Sequence, residues 1–347
     1  MFVIQVTPGY PPSQGGVETH VEAISERLSE RGHKVTVVSA DAGIGDRRER
    51  QEGVVIRRCR SIAPGGAYHF APGVTPAVRR LDPDVVHIHN YHALTLPAAA
   101  VACRDARLVV TPHYHGGSAS RVRDALLRLY RSVGGRALRS ADAVVAVSEW
   151  EREQLAADFG VDATVVPNGI EVNRFADALP YDHDRPYLLC VGRLEKYKGV
   201  QHAIRALPDL PNYDLLVAGS GPYRADLERI AERTGVAERV DFRGYVPDDA
   251  LPGLYAGAEV FLALSSFEAF GLTVGEALAA GTPCVVQRRG ALDDWERYDG
   301  VVGIEEVEPD TVRDAIARAQ SSSVESGAVP RWDDHVDRLL QIYRRDG

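Results

Sequence analysis

One pattern constrains this chain more than any other: short apolar strands alternate with amphipathic helices, and the alternation runs through twice. Residues 2–7 are apolar and β-prone, a Pro/Gly-rich loop spans Pro8 to Gly16, and 17–31 reads as a helix with Val17, Val21, Ile24 and Leu28 on one face. Gly32 supplies a C-cap signal, and Val35-Thr36-Val37-Val38 is the next strand. Short apolar strands recur at 85–88, 107–111, 143–147 and 163–166. Strands alternating with helices build parallel β-α-β units and a doubly wound α/β sheet.

The texture changes around 167–186, where Pro167-Asn168-Gly169 forms a turn and an Asp/Pro-rich stretch runs to Pro186. The alternation then restarts, with strands expected at 187–191, 215–218, 240–242, 259–263 and 284–286 and helices at 200–207, 223–234, 273–280 and 309–319. A last amphipathic helix, 332–345, turns Val336, Leu339, Leu340 and Tyr343 to one side. A chain of 347 residues suits two cores rather than one. The expected division is a first domain of 1–170 with helix 332–347, a linker of 171–184, and a second domain of 185–331. Open α/β sheets bind ligands beyond the carboxyl ends of their strands. A central cleft where two such ends meet is therefore the expected ligand site.

Composition excludes several classes. The net charge of −9 argues against a nucleic-acid binder. No run of about 18 apolar residues occurs, so no membrane-spanning helix is expected. The start, Met1-Phe2-Val3-Ile4, reads as a strand and not as a signal peptide, and a cytoplasmic location follows as an expectation. Cys59, Cys103, Cys190 and Cys284 are scattered without a C-x-x-C pair, which suits free thiols and no metal site. Lysine occurs only at 34, 196 and 198. Two of the three thus fall in one short loop, Gly192-Arg193-Leu194-Glu195-Lys196-Tyr197-Lys198-Gly199.

Three motifs can carry chemistry. Gly15-Gly16 precedes a helix whose free N–H groups could stabilise a diphosphate, although a plain glycine-capped loop reads equally well. No G-x-G-x-x-G accompanies it, so a dinucleotide fingerprint is absent. Arg193 and Lys198 lie five apart in a Gly-bounded loop after a strand and can converge on one anion. Fixed cations of that kind lower the barrier to departure of a nucleoside diphosphate. The third motif is Phe267-Glu268-Ala269-Phe270-Gly271-Leu272-Thr273-Val274-Gly275-Glu276. Glu268 precedes a helix and could accept from sugar hydroxyls. Glu276 lies two turns on and could reach a ribose diol. The amides of Phe270, Gly271 and Leu272 open the helix as an anion site. Taken singly, each glutamate also reads as an ordinary surface or helix-start acid.

Two glutamates separated by seven residues, framed by Phe-Gly and followed by Ala-Leu-Ala-Ala-Gly-Thr-Pro, resemble the signature of the retaining GT-B glycosyltransferases of family 4. The rest of the chain keeps the family's order. Gly15-Gly16 resembles its glycine loop, Thr111-Pro112-His113 its strand-end histidine, and Gly192-Arg193-Leu194 with Lys198-Gly199 its Arg/Lys loop. Gly219-Ser220-Gly221-Pro222 and Phe242-Arg243-Gly244-Tyr245-Val246 resemble the two loops that follow. The resemblance implies a GT-B fold of two Rossmann-like domains, with the last helix crossing back onto the first. It implies that Arg193 and Lys198 hold the donor diphosphate, that Glu268 contacts the donor sugar and that Glu276 binds the ribose. Backbone at Gly244, Tyr245 and Val246 would meet the base, Phe270 to Leu272 would add phosphate contacts, and His113 would line the sugar pocket. The implied reaction moves a hexose from a UDP- or GDP-sugar to a glycan or lipid-linked acceptor, with retention and no obligatory metal. An epimerase of the same fold or a silent nucleotide-sugar-binding scaffold would share the donor residues.

Other features carry less. His87 and His89 alternate on a strand, with His92 nearby and His113 and His115 at another strand end. A metal cluster is one reading; one or two of them lining the acceptor site is the preferred one. Asp82-Pro83-Asp84 and Asp182-His183-Asp184 have D-x-D spacing but read as loop acids. Residues 121–139 set Arg121, Arg123, Arg128, Arg131, Arg136 and Arg139 against one acid, Asp124. Such a helix either lies on an anionic membrane surface, at the inner face of the membrane, or is a core helix with a solvated arginine face.

Overall fold

In the computed structural model the described residues are 1–13, 15–40, 47–62, 70–114 and 121–344, without the side chains of 121–129. The chain divides into two compact units, Met1–Asn168 with Trp332–Gly347, and Gly169–Arg331.

The first unit opens with β1 (Phe2–Thr7), α1 (Gly16–Glu30) and β2 (Lys34–Ser39). A hairpin of β3 (Arg47–Gln51) and β4 (Val54–Arg58) follows, which the sequence pattern does not announce. Then come α2 (Val74–Arg79), β5 (Val85–His89), α3 (Thr95–Ala100), β6 (Arg107–Thr111), α4 (Arg121–Arg139), β7 (Ala143–Ala146), α5 (Glu149–Phe159) and β8 (Thr164–Val165). These strands form one sheet in the order β3-β4-β2-β1-β5-β6-β7-β8, parallel except for β3. Val3, Ile4 and Val6 of β1 and Val86 and Ile88 of β5 are fully buried. Each such side chain stabilises the fold by about 1.5–3 kcal/mol.

The second unit holds α6 (Val172–Ala176), β9 (Tyr187–Val191), α7 (Val200–Ala206), β10 (Asp214–Ala218), α8 (Arg224–Arg233), β11 (Val240–Gly244) and α9 (Leu251–Ala256). It continues through β12 (Val260–Ala263), α10 (Leu272–Ala279), β13 (Cys284–Gln287), β14 (Val301–Ile304) and α11 (Pro309–Gln320). Its sheet is parallel in the order β11-β10-β9-β12-β13-β14. Residues 171–184, a linker by composition, contain α6 and lie inside this unit.

The last helix, α12 (Trp332–Arg344), belongs to the first unit. Trp332, His335, Val336, Leu339, Leu340, Ile342 and Tyr343 are buried along one face, a wider stripe than the four positions the sequence suggests. The interior that α12 covers is partly polar. His87 lies between the Tyr343 hydroxyl at 2.6 Å and the Thr111 hydroxyl at 2.7 Å, and His89 meets Gln5 Oε1 at 2.7 Å. His335 Nδ1 donates to the Pro167 carbonyl at 2.7 Å. His87 and His89 are 0% exposed, so they line no surface. Their i, i+2 spacing puts both on the same face of β5, and that face is core.

Burial holds His20, His87 and His89 well below the usual imidazole range, lowers His113 to about 3 and His335 to about 4. The unfolded chain therefore takes up protons below about pH 6.5 that the folded chain refuses. Stability is complete above that value and falls as pH descends toward the folded values. We expect the thermal midpoint to drop between pH 6.5 and 5, above the range where ordinary carboxylates titrate. A midpoint that is flat over that interval would contradict five neutral buried rings.

Candidate functional site

In the second unit the strand order reverses at β9, whose hydrogen-bonded neighbours are β10 on one side and β12 on the other. Loops leaving β9 and β12 must part there, which opens a crevice at the carboxyl ends. Gly192, Arg193, Leu194 and Lys198 line it from the β9 loop, and Ser265, Glu268 and Thr273 from the β12 side. The two motifs singled out in the sequence, about seventy positions apart, are thus brought together. Lys198 Nζ donates to Glu268 Oε1 at 2.5 Å, with both side chains largely buried. Burial opposes the lysine's charge, but the charge of Glu268 and its hydrogen bond prevail and hold Lys198 above its usual range.

The loop geometry follows from glycine. Gly199 has φ +78°, and a Cβ there would stand 1.9 Å from the Leu264 carbonyl oxygen. The Lys198 loop can therefore lie against the β12 loop only with glycine at this position. Gly219 and Gly221 act similarly, packing against the carbonyls of Gly192 and Leu194. They shape the β9–β10 loop pair. Gly219 N–H also donates to the Gly244 carbonyl at 2.6 Å, which ties in the loop carrying Tyr245 and Val246. Tyr245 is 57% exposed.

α10 starts at Leu272 with Gly271 as N-cap at φ +92°, and no side chain caps it. Its first-turn amides are therefore open to an anion. The Phe270 carbonyl is held by Trp295 Nε1 at 2.6 Å, which fixes the entry to the helix. Glu276, one turn on, accepts from the Tyr255 hydroxyl at 2.7 Å. Burial pushes its carboxyl up, against the Tyr255 hydrogen bond and the Arg174 charge. Tyr255, Arg174, Ser265 and Thr273 escaped the sequence reading. Arg174 and Tyr255 lie in short helices without a motif, so no local signal could have found them.

The first unit holds the remaining candidates. Gly15 and Gly16 do open α1, yet Glu18 of the same first turn already meets its positive end. A Cβ on Gly15 would stand 2.4 Å from the Glu18 carboxylate, so this glycine makes room for an internal acid. His113 follows β6 with φ +47°, a strained value for a residue with a Cβ. It is 9% exposed, its Nε2 has no partner, and its ring lies 4.6 Å from that of His20. Ring nitrogens of His20, His89 and His113 come within 4.8 Å of one another. His115 lies outside the described residues.

Glu151 positions this region. Its carboxylate accepts from the Tyr114 N–H at 2.5 Å and the Val147 N–H at 2.7 Å, which ties the loop after β6 to the loop after β7. Ser148 Oγ in turn caps α5 by accepting from Glu151 N–H. Of the two D-x-D segments, Asp84 accepts from Phe2 N–H and His183 meets Asp214, so both read as local structure. On α4, Arg131 pairs with Asp158 and Arg139 donates to the Phe159 carbonyl.

Residues 14–174 match the family model described as Glycosyltransferase Family 4, and residues 172–325 match that of Glycosyl transferases group 1. The chain is 31% identical over 331 residues to a GDP-mannose-dependent alpha-(1-6)-phosphatidylinositol monomannoside mannosyltransferase of Mycolicibacterium smegmatis, covering 87% of this chain and 84% of that one. This chain is a family 4 glycosyltransferase. A glycogen synthase of Mycobacterium tuberculosis is 32% identical to this glycosyltransferase over 330 residues, covering 85% and 80% of the two chains. Among solved structures, sucrose-phosphate synthase from Thermosynechococcus elongatus matches with a TM-score of 0.80 at 20% identity, over 99% of this chain and 98% of that one. Anabaena Alr3699/HepE in complex with UDP and glucose matches at 0.78 with 17% identity, over 98% of each. At those identities the likeness establishes the GT-B fold of two Rossmann-like domains.

Two substitutions probe how this glycosyltransferase builds its loops. Glu151→Ala leaves two buried N–H groups unsatisfied, at about 1–3 kcal/mol each, and should lower the denaturation midpoint accordingly. Gly199→Ala should destabilise the second unit, since the obstacle is backbone and cannot swing away. Urea titration reads both, and a change below about 0.5 kcal/mol in either would refute the contact.

Proposed function

We propose that this glycosyltransferase transfers a hexose with retention from a nucleoside-diphosphate sugar to a glycan or lipid-linked acceptor, with no obligatory metal. The observation that carries the reading is the Lys198–Glu268 pair at the strand-order reversal, beside Arg193 and the uncapped start of α10. Two fixed cations and a helix start supply positive charge where a departing diphosphate develops negative charge. GDP-mannose is the first donor to test, because the similar mannosyltransferases of Mycolicibacterium smegmatis and Mycobacterium tuberculosis are GDP-mannose-dependent.

Each group then has a task. Arg193 and Lys198 hold the diphosphate, and the first amides of α10 add to its cradle. Glu268, freed from Lys198 as the phosphate takes the ammonium, accepts from a sugar hydroxyl. Glu276, steadied by Tyr255, accepts from the ribose diol, and the Gly244–Val246 backbone meets the base. As the anomeric C–O bond breaks, the leaving phosphate oxygen takes the acceptor's proton, and the acceptor oxygen enters from the same face. His113 is neutral at working pH and offers a hydrogen bond to the sugar rather than a charge.

Peripheral attachment to the inner face of a membrane belongs to the same proposal, through the six arginines of α4. It predicts binding to anionic vesicles that salt weakens.

The test is turnover in EDTA with each common UDP-, GDP- and ADP-sugar. One donor should be hydrolysed slowly, and Lys198→Ala or Glu276→Ala should reduce that rate about 10²–10³-fold. NMR of the product should show the donor's anomeric configuration, and inversion would overturn the mechanism. The pH profile of kcat/KM should lack an inflexion near 6.5 that disappears in His113→Asn; finding one would mean that His113 acts as a cation.

A further inference from the structure

A second cationic site lies wholly in the first unit. Arg47, Arg48, Arg57, Arg58 and Arg80 line one open cavity of about 470 Å³. In a chain of net charge −9 this is a strong local reversal of sign. Glu49 is the acid that pairs with the cluster among the described residues, reaching Arg58 at 2.6 Å and Arg47 at 3.5 Å. Arg58 is buried and also donates to the Tyr10 and Pro11 carbonyls, so its charge serves the fold. Arg48, Arg57 and Arg80 form no ion pair among the described residues, and Arg57 Nε is buried without a partner.

The pairing of the hairpin sharpens the point. In the antiparallel register of β3 and β4, Arg47 stands opposite Arg58 and Arg48 opposite Arg57. Like charges directly across a ladder are destabilising, and here two such pairs are consecutive. Protection of an exposed edge strand explains arginine on β3. It does not explain Arg57 on the second strand or Arg80 just after α2, which converge on the same cavity. Guanidinium groups grouped around a cavity match phosphate oxygens, which they bind bidentately.

We propose that this cavity binds the phosphate of a phosphomonoester or phosphodiester ligand. The proposal does not rest on the donor reading of the second unit, and the test keeps the two apart by using the Lys198→Ala background. Sodium phosphate and glycerol 3-phosphate are titrated against sodium chloride at matched ionic strength, with thermal midpoint and calorimetry as readouts. Phosphate should raise the midpoint above chloride. Arg48→Gln with Arg80→Gln, both exposed positions, should weaken half-saturation tenfold or more. The same double variant should melt higher than its parent without phosphate, because like-charge repulsion is relieved. Vesicles of phosphatidylglycerol in phosphatidylcholine identify the source. Sedimentation with them that the double variant loses assigns a lipid headgroup; a response to glycerol 3-phosphate without sedimentation assigns a soluble ligand. An equal response to chloride, or a phosphate response retained in the double variant, would overturn the site.

Discussion

The second unit depends on one ladder. β9 hydrogen-bonds to β10 and to β12, strands that lie on opposite sides of it and far from one another in sequence. Parallel pairing fixes where both neighbours end, so the loops that follow β9 and β12 start side by side at the carboxyl end of the sheet before they part. Arg193, Lys198, Ser265 and Glu268 are close because of that pairing, not because of any attraction strong enough to assemble them alone. The Lys198–Glu268 bond then sets the state of the unliganded site. It keeps the ammonium charged in a part-buried place where desolvation alone would favour the neutral amine. Under the proposed function, a diphosphate would meet a cation that is already formed.

The first unit solves a different problem. Its interior carries imidazoles that make specific hydrogen bonds to Gln5, Thr111, Tyr343 and the Pro167 carbonyl. Buried polar groups are tolerable only when partnered, and two members of these pairs, His335 and Tyr343, come from α12. Nitrogens are left over on His20, His89, His113 and His335, and the last three rings pack edge-on against that of His20. His113 thereby combines a strained backbone with an unspent hydrogen-bonding atom.

Legibility in the sequence tracked local signal. Apart from β4 and β14, the parallel strands of both sheets were plain as apolar runs, and α12 as a periodic stripe. The Arg/Lys loop and the two glutamates were legible as motifs, and the structure places Lys198 against Glu268. The β3–β4 hairpin was not legible, because Arg47-Arg48-Glu49-Arg50-Gln51 is an edge strand with no apolar alternation. β14 and α9 were missed, being four and six residues long. Gly219 and Gly221 were legible only as part of a loop that resembles the family's, and the reason for glycine there, that a side chain would strike neighbouring carbonyls, lies in tertiary packing. One or two of the five clustered histidines were expected to line the acceptor site, and only tertiary packing under α12 reveals that the face carrying His87 and His89 is interior. Glu151 sits in a run of acids, Glu149, Glu151 and Glu153, and nothing local separates the buried member from the others.

The placement of α12 has a consequence for how the molecule comes into being. The first unit is discontinuous: its sheet is synthesised first, but the helix that covers its imidazoles is made only after the whole second unit. The second unit is contiguous and complete in sequence before α12 emerges. During translation the earlier-made domain therefore waits, with Tyr343 and His335 still absent from their partners, while the later-made one can close. Order of synthesis and order of completion are reversed, and the open first unit is the species that a chaperone would meet on the ribosome.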